Sequence, residues 1–153
     1  MKAIIMLIVF MAVSFGAAAI GGQFAPGRWY AELVKPDWNP PDWIFAPVWT
    51  ILYLLIGLSA WLVWKKAGFA NGALALSAFA VQLGLNAAWS WIFFGLHRPA
   101  TAFIEIIILW LAILVTMLLF WRITWIAALL LLPYLLWVSF ASLLNWKLWQ
   151  LNA

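Results

Sequence analysis

Five long apolar stretches, separated by short charged ones, fix what this chain can become. They run from Ala3 to Ala25, Ile44 to Trp64, Asn71 to Gly95, Pro99 to Trp121 and Ile123 to Trp146. A helix needs about 20 apolar residues to cross roughly 30 Å of hydrocarbon, and each stretch supplies them. Apolar residues make up 69% of the 153 and charged residues 8%, against about 25% charged in a soluble chain. Twelve charged side chains cannot cover a soluble surface of this size. Disorder is excluded because disordered chains are poor in apolar and aromatic residues. The alternating ten-residue segments of a membrane β-barrel are absent. Runs such as Ile104 to Phe120 are apolar on every side, and a helix satisfies their backbone within the segment. The expected fold is all-α: one transmembrane domain over residues 1–153, a five-transmembrane-helix bundle with spans of about 3–25, 44–64, 71–95, 99–121 and 123–146. The expected location is a membrane crossed several times.

Two features resist a single reading. Lys2, the apolar run after it and Ala17 to Ala19 also describe a cleavable signal peptide. Orientation is balanced: Lys2, Lys65, Lys66 and Arg122 lie on one side, Arg28, Lys35, Arg98 and Lys147 on the other, so the positive-inside rule gives no direction. Much chemistry is excluded. There is no cysteine, and one histidine, His97, cannot build a histidine-rich metal site. The basic residues form no stripe, which excludes nucleic acid as a partner. No Ser-His-Asp set, carboxylate pair, phosphate-binding glycine loop or metal-ligand spacing is present. No metal or cofactor is required.

The polar and aromatic residues carry the functional signal. Residues 26–43 form the one long connection, with Trp29, Tyr30, Trp38, Trp43, Pro36, Pro40 and Pro41. Prolines restrict the backbone and large rings seek burial, so an ordered Trp/Pro-rich lid is expected; an interfacial belt is the competing account for Trp29 and Trp43. In the third span Gln82, Asn86 and Ser90 follow at i+4 steps, with Trp89 and Phe93 on the same face. Buried amides in hydrocarbon need a partner or a hydrated cavity. The opposite face carries Ala73, Ser77, Ala80 and Gly84, small enough for close helix approach within the bundle or in a homodimer. Trp49 and Tyr53 share a face of the second span, and Trp137 and Ala141 one of the fifth, flanked by Tyr134 and Asn145. Together they suit an aromatic-walled pocket with a few orienting polar groups; ordinary bundle packing is the alternative. Glu105 is the one acid well inside a span. It marks a functional position by default, or a structural one held by Thr101 and a neighbouring helix.

These segments resemble the TspO/MBR family, the translocator proteins called tryptophan-rich sensory proteins in bacteria and peripheral benzodiazepine receptors in animals. The likeness rests on Trp29-Tyr30 with Lys35-Pro36-Asp37-Trp38-Asn39-Pro40-Pro41, then on Phe45-Ala46-Pro47-Val48-Trp49-Thr50-Ile51-Leu52-Tyr53. It continues through Gln82-Leu83-Gly84-Leu85-Asn86-Ala87-Ala88-Trp89-Ser90, Phe93-Phe94, Pro133-Tyr134-Leu135-Leu136-Trp137 and Phe140-Ala141-Ser142-Leu143-Leu144-Asn145. The resemblance implies five retained spans in a membrane, a bacterial one on this reading, and binding of porphyrin or haem-type tetrapyrroles under the first loop. Ligand-binding residues would be Tyr30, Trp38, Pro41, Trp49, Tyr53, Asn86, Trp89, Phe93, Trp137 and Ala141, with a regulatory or sensory role. Benzodiazepine-site ligands are a further implied class. Light-dependent protoporphyrin IX degradation, with Trp49 and Trp137 as candidate catalytic residues, and tetrapyrrole or sterol transport are the implied alternatives. Glu105 fits an acidic position near the start of the family's fourth helix. Sterol recognition is doubtful, since Leu144, Trp146 and Lys147 offer Trp where relatives carry Tyr.

Overall fold

Gly68 is where the longest helix turns back. In the computed structural model, which describes residues 1–153, the chain runs through α1 (Lys2–Gly22), a short α2 (Arg28–Glu32) and a 3-10 turn (Asp42–Ile44). Then come α3 (Phe45–Ser90), a π-helical turn (Trp91–Gly95), α4 (Pro99–Ile123), α5 (Trp125–Leu130) and α6 (Leu132–Leu151). No strand is present. Four helical stretches are long and apolar enough to cross a membrane: Lys2–Gly22, Asp42–Gly95, Pro99–Ile123 and Trp125–Leu151.

The second stretch crosses twice. Its 46-residue α3 contains Gly68 at φ 70° and ψ −173°, a conformation that costs glycine little and other residues much. Tyr53 and Asn86 are 33 residues apart yet hydrogen-bond at 2.5 Å; a straight helix would separate them by about 50 Å. Phe10 likewise packs on both Trp64 and Phe79. The five-pass bundle is therefore built from four helical stretches, with the exposed Lys65 and Lys66 at the reversal. Where the sequence suggests an end to the second span at Trp64, the helix continues, because a single glycine makes the turn.

Packing follows from which faces are apolar all round. Outward residues such as Ile4, Ile8, Ile51, Ile104 and Leu118 are exposed, as lipid-facing side chains must be. The interior holds Ile56, Ala60, Val63, Phe79, Leu109, Ile113, Phe120 and Ala127. Helices in lipid gain little hydrophobic free energy from touching, so close approach and interhelical hydrogen bonds set their register. Gly57 supplies one such approach: a Cβ there would stand 3.2 Å from the Phe10 carbonyl oxygen. Ser14 Oγ donates to the Tyr53 carbonyl at 2.7 Å, Trp61 Nε1 to the Ala3 carbonyl at 2.8 Å, and Trp110 Nε1 to Ser139 Oγ at 2.8 Å. Asn145 links three helices, accepting from Trp89 Nε1 at 3.0 Å and donating to the Pro99 carbonyl at 2.8 Å.

The connection from α1 to α3 is ordered. Lys35 Nζ donates to the carbonyls of Tyr30 (2.6 Å), Leu33 (3.2 Å) and Ala31 (3.3 Å), capping the end of α2, and lies 4.7 Å from the Tyr30 ring centre. Trp29 stacks on His97 at 4.4 Å and meets Phe93 edge-on. The ring of Trp29 is thereby lid packing, whereas Trp43, 73% exposed, fits the interfacial belt. Asn152 closes the far side: its Oδ1 accepts from the Val34 amide and its Nδ2 donates to the Val34 carbonyl, both at 2.9 Å. The Arg28–Glu32 ion pair, at 3.8 Å and fully in solvent reach, contributes little. Replacing Asn152 with Ala removes both bonds to Val34, each worth about 1 kcal/mol. The expected outcome is about fivefold or greater acceleration of hydrogen exchange at the Val34 amide, with α4 amides unchanged.

Candidate functional site

A cavity of about 650 Å³ lies beneath this lid, within the range of sites for drug-sized ligands. Of its 25 lining residues, 17 are hydrophobic, so its walls are greasy and its polar groups few. The end of α1 contributes Phe15, Ala18 and Gly21, and the lid contributes Tyr30 and Asp42. The two arms of α3 contribute Trp49, Tyr53, Asn86 and Trp89; the π-turn adds Phe93 and Phe94, and α6 adds Trp137, Phe140, Ala141 and Asn145. Nothing on α4 reaches it.

The rings are held by other rings. Trp49 is backed by Tyr53 at 5.6 Å and Tyr134 at 6.4 Å, and Trp137 by Phe45 at 5.9 Å and Phe140 at 5.4 Å. The two indoles form no pair with each other, which leaves the space between the helices open. Trp89 and Phe93 stack at 5.1 Å and 21°, and Phe94 stands edge-on to both. In an α-helix, residues 93 and 94 would diverge by about 100°. Here the wider turn, closed by the Leu96 amide to the Trp91 carbonyl at 2.8 Å, brings both rings to the wall. Such π-turns concentrate at functional sites.

Polar groups enter at two levels. At the mouth, burial pushes the Tyr30 phenol above its ordinary range, the Asp42 charge adds to this, and neighbouring Asn39 opposes it weakly. Asn39 Oδ1 itself makes no hydrogen bond of good geometry. Tyr30 therefore stays a neutral hydroxyl through the neutral pH range. Deeper in, the Tyr53 hydroxyl donates to Asn86 Oδ1 at 2.5 Å, and Asn86 Nδ2 donates to the Tyr134 hydroxyl at 2.9 Å.

Eight of the ten residues singled out from sequence meet at this cavity: Tyr30, Trp49, Tyr53, Asn86, Trp89, Phe93, Trp137 and Ala141. Two do not. Trp38 is 49% exposed and meets Phe140 edge-on at 5.9 Å, one ring removed from the wall, because the Pro36–Pro41 turn carries it over the outside of α6. Pro41 is exposed; it precedes the 3-10 turn, where its carbonyl accepts from the Ile44 amide, and Asp42 takes the place on the wall. Glu105 lies outside the cavity, buried on α4, and neither carboxyl oxygen has a partner. Thr101 does not hold it: that residue is exposed. Sequence reasoning missed Phe15, Phe24 and Asp42, whose positions depend on how α1 and the lid meet. The run Leu144, Trp146 and Lys147 does not form one surface, since Leu144 is buried on the cavity wall and Trp146 faces outward. The small-residue face of Ala73, Ser77, Ala80 and Gly84 is exposed along the outside of α3, so it does not serve packing within the bundle.

Comparison with known proteins agrees with the motifs. The chain is 44% identical over 158 residues to the tryptophan-rich protein TspO of Chlorobaculum tepidum, covering 99% of this chain and 98% of that one. It is 37% identical over 147 residues to the tryptophan-rich sensory protein of Cereibacter sphaeroides, covering 96% and 91%. The translocator protein of Homo sapiens is 39% identical over 138 residues, covering 87% and 82%. The sequence profile of the TspO/MBR family matches residues 4–150, and with its five passes and capped cavity this chain belongs to that family.

Proposed function

We propose that the cavity binds a flat, hydrophobic ligand of the tetrapyrrole class, a porphyrin or haem, and that occupancy serves a regulatory or sensory role. The observation that carries this reading is the pair of indoles, Trp49 from α3 and Trp137 from α6, on the walls of one cavity with other rings behind them. A planar π-system would stack against both, and Tyr30, Asn86 and Asn145 would meet its polar edges. Micromolar affinity requires about −8 kcal/mol. Burying several hundred Å² of apolar surface at about 25 cal/mol per Å² supplies that, less the association cost. The site requires no resident cofactor for this. The names of relatives such as the tryptophan-rich sensory protein and the translocator protein support a ligand-responsive membrane role. The exposed Ala73, Ser77, Ala80 and Gly84 face would seat a second copy of the chain in a homodimer.

Quenching of tryptophan fluorescence by protoporphyrin IX in the dark tests the binding reading. Trp49→Phe together with Trp137→Phe should weaken binding about tenfold or more, the loss of two stacking contacts of about 1 kcal/mol each; unchanged affinity refutes stacking. The same titration under illumination separates binding from turnover: stable absorbance supports a binding module, and Trp137-dependent bleaching supports photochemistry. For the dimer, Ala80→Leu with Gly84→Leu should shift elution in detergent from dimer to monomer.

A further inference from the structure

A line of hydrogen bonds leaves the cavity and runs toward α4. The Tyr53 hydroxyl on the wall donates to Asn86 Oδ1 (2.5 Å), Asn86 Nδ2 donates to the Tyr134 oxygen (2.9 Å), and the Tyr134 hydroxyl donates to Gln82 Oε1 (2.7 Å). All four residues are buried. Every donor points away from the cavity. The line stops at Gln82 Nε2, which has no partner, and the other unpartnered buried group within the spans is the Glu105 carboxyl.

These two ends lie at about the same depth in the bundle, on two helices that pack together. Asn145 bridges Trp89 and Pro99, which sets those residues level on two helices running in opposite directions. Six or seven residues back along α3 from Trp89, and as many forward along α4 from Pro99, Gln82 stands level with Glu105 and Ile106. Both side chains are buried, Gln82 to 1% and Glu105 to 8% exposure. α4 also packs along α6, which carries Tyr134.

Each member of the line can both donate and accept, so once a side-chain movement brings Gln82 and Glu105 together the line supports two complete arrangements. With Glu105 ionised, the donors run toward it, Gln82 Nε2 reaches the carboxylate, and Tyr53 turns a lone pair to the cavity. With Glu105 protonated, the acid donates to Gln82 Oε1 and both amides turn over. Gln82 Nε2 then donates to Tyr134, Tyr134 to Asn86 Oδ1, and Asn86 Nδ2 to Tyr53, whose hydroxyl keeps its proton and is free to donate it in a hydrogen bond toward the cavity.

We infer that Glu105 sets the hydrogen-bonding sense of the cavity, so that binding of a ligand carboxylate or carbonyl at Tyr53 is coupled to a proton held on Glu105. The proton comes from bulk water and adds to a carboxylate oxygen; hydroxyls rotate and amides turn, and no other proton changes owner. The buried polar side chains that the neighbouring helices bring to this part of the bundle are Gln82, Asn86 and the Tyr53 phenol from α3 and the Tyr134 phenol from α6. On α4 itself, Thr101 is exposed and Thr116 bonds the Ala112 carbonyl. The other charged groups sit at the ends of the spans: Arg122 is 17 residues along α4, about 25 Å away, Lys65 and Lys66 flank the Gly68 reversal, Lys2 begins α1, Asp42 stands at the lid, and Lys35, Arg98 and Lys147 are at the lid end. The one buried polar side chain on α1 is the neutral Ser14.

This inference rests on the cavity being a ligand site, and one experiment separates the two. Protoporphyrin IX, whose carboxylates are acceptors, is titrated in the dark into the full-length protein in nanodiscs over a series of pH values. Wild-type affinity should fall as pH rises, approaching a tenfold loss per pH unit for one linked proton, and both Glu105→Gln and Tyr53→Phe should flatten that component. Infrared difference spectra on probe addition should show a shifted carboxylic C=O band that vanishes in Glu105→Gln and no longer responds in Tyr53→Phe. Parallel pH profiles in wild type and Glu105→Gln, or a band unmoved by the probe in wild type, overturn the coupling alone. Absence of probe binding at every pH overturns the ligand reading and the coupling with it.

Discussion

In hydrocarbon, a polar group that finds no partner within the protein costs several kcal/mol, and that constraint organises this bundle. Few polar side chains occur inside the spans, and eight of them are buried: Ser14, Ser59, Gln82, Asn86, Glu105, Thr116, Ser142 and Asn145. Ser59, Thr116 and Ser142 bond carbonyls one turn back on their own helices and ask nothing of their neighbours. Ser14, Gln82, Asn86 and Asn145 bond across helices, and it is these that fix register. Sliding α3 against α6 by one turn would break the bonds of Asn86 and Gln82 to Tyr134 and that of Trp89 to Asn145 at once. Apolar packing alone would tolerate the slide far better, since lipid is as good a neighbour for a leucine as another helix.

The same constraint explains why the open space sits at the lid end. Toward Gly68 the interior is filled by medium-sized apolar side chains, Ile56, Val63, Ile113 and Phe120, which leave little room. Toward the lid the inward positions hold Trp49, Trp89, Phe93 and Trp137, too large and flat to interlock, and each is propped by another ring. Rings braced from behind leave a slot between them. The lid covers that slot through backbone bonds, from Lys35 to the end of α2 and from Asn152 to Val34.

Much of this was legible beforehand for identifiable reasons. Helical spacing alone placed Asn86 with Trp89 and Phe93, and Trp137 with Ala141, because a 3.6-residue period leaves no freedom in which residues share a face. Long apolar runs located the helices to within a few residues. What escaped depended on contacts between distant segments. The continuation of α3 through Lys65 and Lys66 hinges on one glycine dihedral. Trp38 belongs to a motif that suggests the site, yet a proline turn carries it outside, and composition carries no information about that direction. Asn152, near the end of the chain, gave no signal because its partner is a backbone group 118 residues away. Glu105 was visible as an anomaly, but its lack of a partner could be known only once Thr101 was seen to point outward.

The shape of the interior bears on binding against conduction. A cavity that carried a ligand through the bundle would need an apolar slot from one face to the other. Here the wall ends at the level of Tyr53 and Asn86, and beyond them Ile56, Ala60, Val63, Ile113 and Ala127 are each fully enclosed. Opening a path the width of a macrocycle there would separate α1 and α4 from α3 along half their length. Gly57 lies against the Phe10 carbonyl, so the close contact that positions α1 would be lost in the process. A ligand held under the lid would thus be braced against a solid floor whose polar groups are Tyr53 and Asn86, with the line of hydrogen bonds behind them. Stacking on indoles is indifferent to which way a flat molecule faces. The floor would not be, because a hydroxyl can offer either its proton or its lone pair, and that choice would orient a bound guest.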